Sequence, residues 1–181
     1  MKTAARLAGA TILAGAVLGA AGLAPASAPA RAAAAPIQDP FVAALTGEWA
    51  GTLEYANFSD DTRAEIDVRA TIEAVPEPGA VAMRLIFVEP NGEEMEDRQV
   101  VRLDREQRTY QVGDEEFAVS LLDGFDAGTD GVLIWAGEVR ENRVMEPFQQ
   151  TLTVSGDELT ILKETREPLR FRNVFRLRRL R

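Results

Sequence analysis

The sequence predicts an all-β domain: an antiparallel up-and-down barrel of roughly eight to ten strands, led in by one short helix. Three observations point there. Apolar and polar residues alternate with period two over long runs; turn residues punctuate those runs about every ten positions; and nothing after Gly47 keeps a helical period over any length.

The elements follow in order. Asp39 can accept hydrogen bonds from free amides and Pro40 suits a first helical position, so Phe41 to Leu45 reads as a helix of one or two turns with Phe41 and Leu45 on one face. In the first strand Trp49, Gly51, Leu53 and Tyr55 share a side opposite Thr52 and Glu54. Next, Ile66, Val68, Ala70, Ile72 and Ala74 alternate with Asp67, Arg69, Thr71 and Glu73, giving one dry face and one wet face. Pro78-Gly79 turns into Val81, Met83, Leu85 and Phe87, and Asn91-Gly92 is a strong hairpin signal leading to Val101 and Leu103. Tyr110 and Val112, then Phe117, Val119 and Leu121, form two short strands around Gly113-Asp114. A glycine-rich loop from Asp123 to Gly131 precedes runs at 132–139, 148–154 and 159–162. The closing strand places Leu169, Phe171, Asn173, Phe175 and Leu177 on one face and Arg170, Arg172, Val174, Arg176 and Arg178 on the other.

A meander this long with one apolar face must fold over or close on itself. Closure also removes exposed strand edges, which a sheet without disulfides has reason to avoid.

Ahead of this domain, Lys2 and Arg6 open a positive segment, an uncharged run from Leu7 to Leu23 follows, and small residues come next. That order is expected of a cleaved export signal over residues 1–35, with small-x-small patterns at Ala26-Ser27-Ala28 and Ala33-Ala34-Ala35. The expected location is periplasmic or secreted. Gly residues, Pro25 and Ser27 interrupt the apolar run, so stable membrane insertion after cleavage is not expected. Of 181 residues, 146 then remain as one domain, 36–181.

Losing Lys2, Arg6 and Arg31 takes the net charge from −9 to −12. Such an acidic surface repels phosphate backbones and argues against a nucleic-acid partner. The chain has no cysteine and no histidine. That excludes disulfides, Ser-His-Asp and Cys-His catalysis, and nearly every zinc or copper site. No acid, base and nucleophile set stands out among the remaining residues, so the expectation is a protein that is not an enzyme and needs no metal or cofactor. Asp123, Asp126 and Asp130 stand among glycines, but their spacing does not match a calcium-binding loop, and tight turns use the same residues. Glu93, Glu94, Glu96 and Asp97 read as solvated hairpin ends.

Leu45-Thr46-Gly47-Glu48-Trp49-Ala50-Gly51, following a short helix on the first strand, resembles the Gly-x-Trp opening of the lipocalin and fatty-acid-binding (calycin) superfamily. Phe171-Arg172-Asn173-Val174-Phe175-Arg176 is similar to that group's last strand, whose arginine packs across the tryptophan. The resemblance implies that Gly47, Trp49 and either Arg172 or Arg176 close one barrel end, by a cation–π contact of about 0.5 to 2 kcal/mol. It also resembles lipocalin-like domains of secreted bacterial proteins, from which no activity follows. Fatty-acid-binding relatives hold a carboxylate on internal arginine and tyrosine. Here the arginines alternate opposite Phe171 and Phe175, so such a clamp requires a bulge that shifts the register.

Tyr55, Met83, Phe87, Phe117, Trp135 and Phe148 are the large side chains that either line a cavity for a small apolar or amphipathic ligand or fill the interior. Trp135 lies in a run that is apolar on both faces. An inward Trp135 belongs to the barrel interior; an outward one beside Leu133 forms a surface for a protein partner or a weak homodimer of an otherwise monomeric protein. These are two readings: a ligand-binding barrel, and a solid envelope barrel acting through its outside.

Overall fold

A computed structural model describes residues 39–56, 62–125, 130–141, 144–166 and 169–181. The expected leader, and Asp126 of the aspartate-rich loop, lie outside these residues. The described chain runs α1 (Pro40–Leu45), β1 (Gly47–Ala56), β2 (Arg63–Ala74), β3 (Ala80–Val88), β4 (Glu94–Asp104), β5 (Thr109–Val112), β6 (Glu115–Gly124), β7 (Gly131–Glu141), β8 (Val144–Ser155), β9 (Glu158–Arg166) and β10 (Leu169–Arg179). Each strand pairs antiparallel with its neighbour in sequence, and β10 closes on β1 from Trp49↔Arg179 to Tyr55↔Asn173. The result is the closed up-and-down barrel that the alternation predicts.

Asp39 caps α1 as expected, its Oδ1 accepting from the amides of Phe41 (2.9 Å) and Val42 (3.2 Å). Phe41 and Leu45 are fully buried, and α1 lies against β2 and β3 as a plug. A helix this short leaves most of its carbonyls without helical donors. Three side chains supply them. Thr46 Oγ1 donates to Val42 O (2.8 Å), Trp49 Nε1 donates to Leu45 O (2.8 Å), and Arg179 Nη2 donates to Ala44 O (2.6 Å) while its Nη1 bonds Thr46 O.

Dry and wet faces separate as the period predicts. Ile66, Val68, Ala70 and Ile72 on β2 are buried, and their inward neighbours on β3 are Val81, Met83 and Leu85. Outside, β2, β3 and β4 carry a ladder of charges. Glu94 and Glu96 are not idle hairpin ends: Arg69 pairs with Glu94, and Glu96 takes Arg84 (2.8 Å) and Arg98. Hydrogen bonds from Arg84 and then Arg98 hold the Glu96 carboxyl down from 4.5 to about 2. A depressed carboxylate contributes stability above its unfolded value and loses it as pH falls through the folded one. Wild type and Glu96→Gln are therefore expected to differ in urea midpoint at neutral pH and to converge by about pH 2. Midpoints that stay apart across that range would contradict the assignment.

Among the described residues two bulges interrupt the ladders, between Val119 and Leu121 on β6 and between Phe171 and Asn173 on β10. A bulge sets two residues against one and so reverses which face the following side chains take. On β6 the extra residue is Ser120, whose Oγ donates to Ile134 O (3.1 Å). Val119 then faces inward opposite Trp135, whereas Leu121 is 43% exposed, against the expectation that Phe117, Val119 and Leu121 share a face.

Candidate functional site

The antiparallel meander gives the barrel two unlike ends. At the first, where β1 starts and β10 finishes, Phe41, Ala44 and Leu45 of α1 form a fully buried floor with Trp49 and Phe125. The Arg179 guanidinium lies 4.1 Å from the centre of the Trp49 ring. The arginine that covers Trp49 is thus Arg179, neither Arg172 nor Arg176. Trp49 pairs in register with Arg179 at the end of β10, while Arg176 stands opposite Thr52, points outward and binds Glu54 (2.9 Å). Gly47 has a physical reason to be glycine: its φ is +143°, and a Cβ there would come within 2.8 Å of Arg179 Nη1.

Arg172 is the extra residue of the β10 bulge, with Phe171 opposite Glu164 and Asn173 opposite Lys163. Phe171 consequently lies on the outside, under Arg63 at 4.3 Å, and Arg172 turns inward. It is 8% exposed and its Nη2 donates to Glu146 Oε2 at 2.8 Å. The simple alternation read for this strand fails at this point, and the register shift that an internal arginine requires is present.

Beyond the floor the inner wall is mixed. Lys163 lies between Gln150 of β8 and Asn173 of β10, and Asn173 lies beside Tyr55 of β1, so a row of polar side chains crosses four adjacent strands on the inward face. On the opposite wall Asp97 and Gln99 continue the inward positions of Val101 and Leu103 on β4. Aromatic rings stand among them. Phe117 meets Phe148 edge to face at 5.6 Å, Lys163 Nζ sits 4.6 Å from the Phe148 ring, and Phe87 tilts against Phe175 at 6.3 Å.

Of the six side chains expected to line or fill the interior, Met83, Trp135 and Phe148 are buried in the core, and Tyr55, Phe87 and Phe117 pack partly buried against it. Phe117 and Phe148 come together. Tyr55 instead neighbours Asn173, Met83 lies nearer the floor between Ile72 and Gln99, and Trp135 tilts against Tyr110 at 4.4 Å. Trp135 is 2% exposed and inward, so no outer surface forms around it with Leu133. Burial raises the Tyr110 phenol well above its ordinary value and keeps it protonated.

Among the described residues, Trp135 Nε1 and Asn173 Oδ1 are buried in this interior without a hydrogen-bond partner. Buried donors and acceptors are nearly always satisfied, because leaving one unpaired costs about 1 to 3 kcal/mol. No family model matches the chain, and no curated protein matches it.

Arg179, Lys163, Gln150 and Glu146 are the interior and floor residues that alternation alone does not single out, whereas it places Asn173 on the apolar face of β10. A signal was present for Gln150, a polar residue at an inward position between Phe148 and Leu152. Asp123 Oδ1 accepts from Gly124 N (3.0 Å) and Asp130 Oδ1 from Gly156 N (2.6 Å), and no group of acids fit to hold a metal occurs among the described residues. A groove of about 390 Å³ on β2–β4 is lined by Thr71, Glu73, Met83, Arg84, Gln99 and Val100 among others.

Proposed function

We propose that this chain is an exported, lipocalin-like binding protein whose barrel takes a small amphipathic molecule. The apolar body of the ligand lies among Phe87, Phe117, Phe148 and Phe175, and an uncharged acceptor on it receives the Trp135 indole N–H. The observation that carries this reading is the orphaned Trp135 Nε1 in a side chain that is 2% exposed. An uncharged ligand fits because the inner wall carries charges of both signs, Lys163 and Arg172 with Glu146 and Asp97, and a net charge would find both attraction and repulsion there.

Export is supported by the order of positive, apolar and small residues over 1–35. The outward arginines and glutamates of β1 to β4 and β10 support a protein surrounded by water, since a lipid-facing barrel needs an apolar band about 25 Å tall. A binding role is favoured over an outer docking surface because the tryptophan that would have carried such a surface lies inside.

The test uses the neutral naphthalene ketone Prodan, whose carbonyl can accept the indole N–H. Saturable one-to-one binding with blue-shifted emission is expected, and Trp135→Phe, which keeps an apolar ring but loses the donor, is expected to weaken it about tenfold. Absence of saturable binding, or equal affinity in the variant, contradicts the reading. Native mass spectrometry of protein purified from its own host would then give the mass of the natural occupant.

A further inference from the structure

The wall of the barrel is not equally tall all round. β5 has only four residues and pairs with β4 only from Val101 to Asp104, and β6 joins β7 only from Ala118 onward. The β5–β6 hairpin therefore stops short, its Gly113 N tied to Val100 O at 2.9 Å. β4 continues past the hairpin's tip as Glu94–Gln99, while β7 leaves its ladder with β6 after Ala136, so that Gly137–Glu141 run beside Phe117–Glu115 and the tip without pairing. Among the described residues neither stretch has a strand partner on that flank, and β4 and β7 do not pack against each other. The ladders β1–β2, β2–β3, β7–β8 and β8–β9 stay zipped over a longer register.

A notch thus opens through the side of the wall above the hairpin, about three strand spacings or 14 Å across at the backbone. Unpaired strand edges invite another chain to add on, and charge is a common safeguard. The β4 edge carries Glu94, Glu96, Asp97 and Arg98, which keeps it hydrated. Beneath the notch lies a single aromatic ring. Phe117 is partly buried, leans on Phe148, and occupies the space over Gly137, where a Cβ would approach the ring to 2.7 Å and Phe148 to 3.1 Å. Glycine at 137 leaves that ring room. The opposite end of the barrel is shut by α1, Trp49 and Phe125.

We infer that ligand enters the barrel sideways through the notch between β4 and β7, and that Phe117 sets the size of what passes. This rests on the binding reading above. When the Phe117 ring swings off Gly137, the gap leads directly to Phe148 and the Lys163 row.

The experiment measures Prodan association and dissociation by stopped flow. Phe117→Ala and Phe117→Leu are expected to speed association, about tenfold for alanine, and to speed dissociation at least as much because the ring also touches bound ligand; a residue that only contacted ligand would change dissociation alone. The chain has no cysteine, so Arg98→Cys with Glu138→Cys provides two unique thiols on the outer face flanking the notch. Joining them with a flexible bis-maleimide is expected to slow both rates, whereas a similar bridge between Glu65→Cys and Arg170→Cys across β1 leaves them unchanged. If Prodan binds and neither the Phe117 variants nor the notch bridge alters the rates, the side entrance is wrong and binding stands. If the β1 bridge alone slows them, ligand enters over the open rim. If no form binds Prodan, the chamber reading fails, and the entrance with it.

Discussion

Phe125→Ala is expected to destabilise the protein by about 4 kcal/mol, the cost of emptying a large aromatic site in a packed core. Phe125 is fully buried, meets Phe41 edge to face at 5.6 Å, and has its carbonyl fixed by Arg105 Nη2 at 3.0 Å. Phe125 also holds a left-handed backbone, φ 58°, that a side chain with Cβ adopts at a cost of about 1 kcal/mol. Alanine keeps that strain and loses the ring, so the melting temperature should fall by about 12 °C. Phe125→Gly loses the ring but relieves the strain, and is expected to be no less stable than alanine despite being smaller. Thermal and urea unfolding of both variants check this. An alanine variant that melts with the wild type would mean that Phe125 is not part of the floor.

Arg179→Ala is expected to cost about 3 kcal/mol. It removes a cation from the Trp49 face and strands two carbonyls, Ala44 O and Thr46 O, at the end of a helix too short to satisfy them itself. Arg179→Lys keeps the charge over the ring but cannot fork to both carbonyls, so it should recover only part of the loss. Arg176→Ala is the contrasting case. Its Glu54 partner retains Arg63 at 2.7 Å on the outer surface, and no change in midpoint is expected. The near-ultraviolet signal of Trp49 should weaken in Arg179→Ala and persist in Arg176→Ala; the reverse pattern would return barrel closure to Arg176.

Much of the fold was legible because burial and backbone pairing write themselves into a strand at period two. Ile66 to Ile72 and Val81 to Phe87 could be assigned a face from the residues alone, and Asp39-Pro40 announced α1. The site was less legible, because one extra residue reverses a face and no local signal marks it. Arg172 and Phe171 exchanged sides at a bulge, Leu121 went outward after Ser120, and Trp135 lay in a run apolar on both faces whose orientation only its neighbours could decide. Arg179 carries no local signal for a related reason: which arginine meets Trp49 depends on how β10 registers against β1, far apart in sequence.

By itself the sequence determined that this is a β protein with one dry face, a helix at its front, and neither disulfides nor histidine chemistry. These follow from composition and from the alternation of side chains, which each strand carries locally. Tertiary structure decided that the sheet closes at ten strands, which polar groups point into the barrel, and where its wall is low. Those depend on strand register, a property of pairs of strands, and a shift of one residue in it moves a charge from water to the interior.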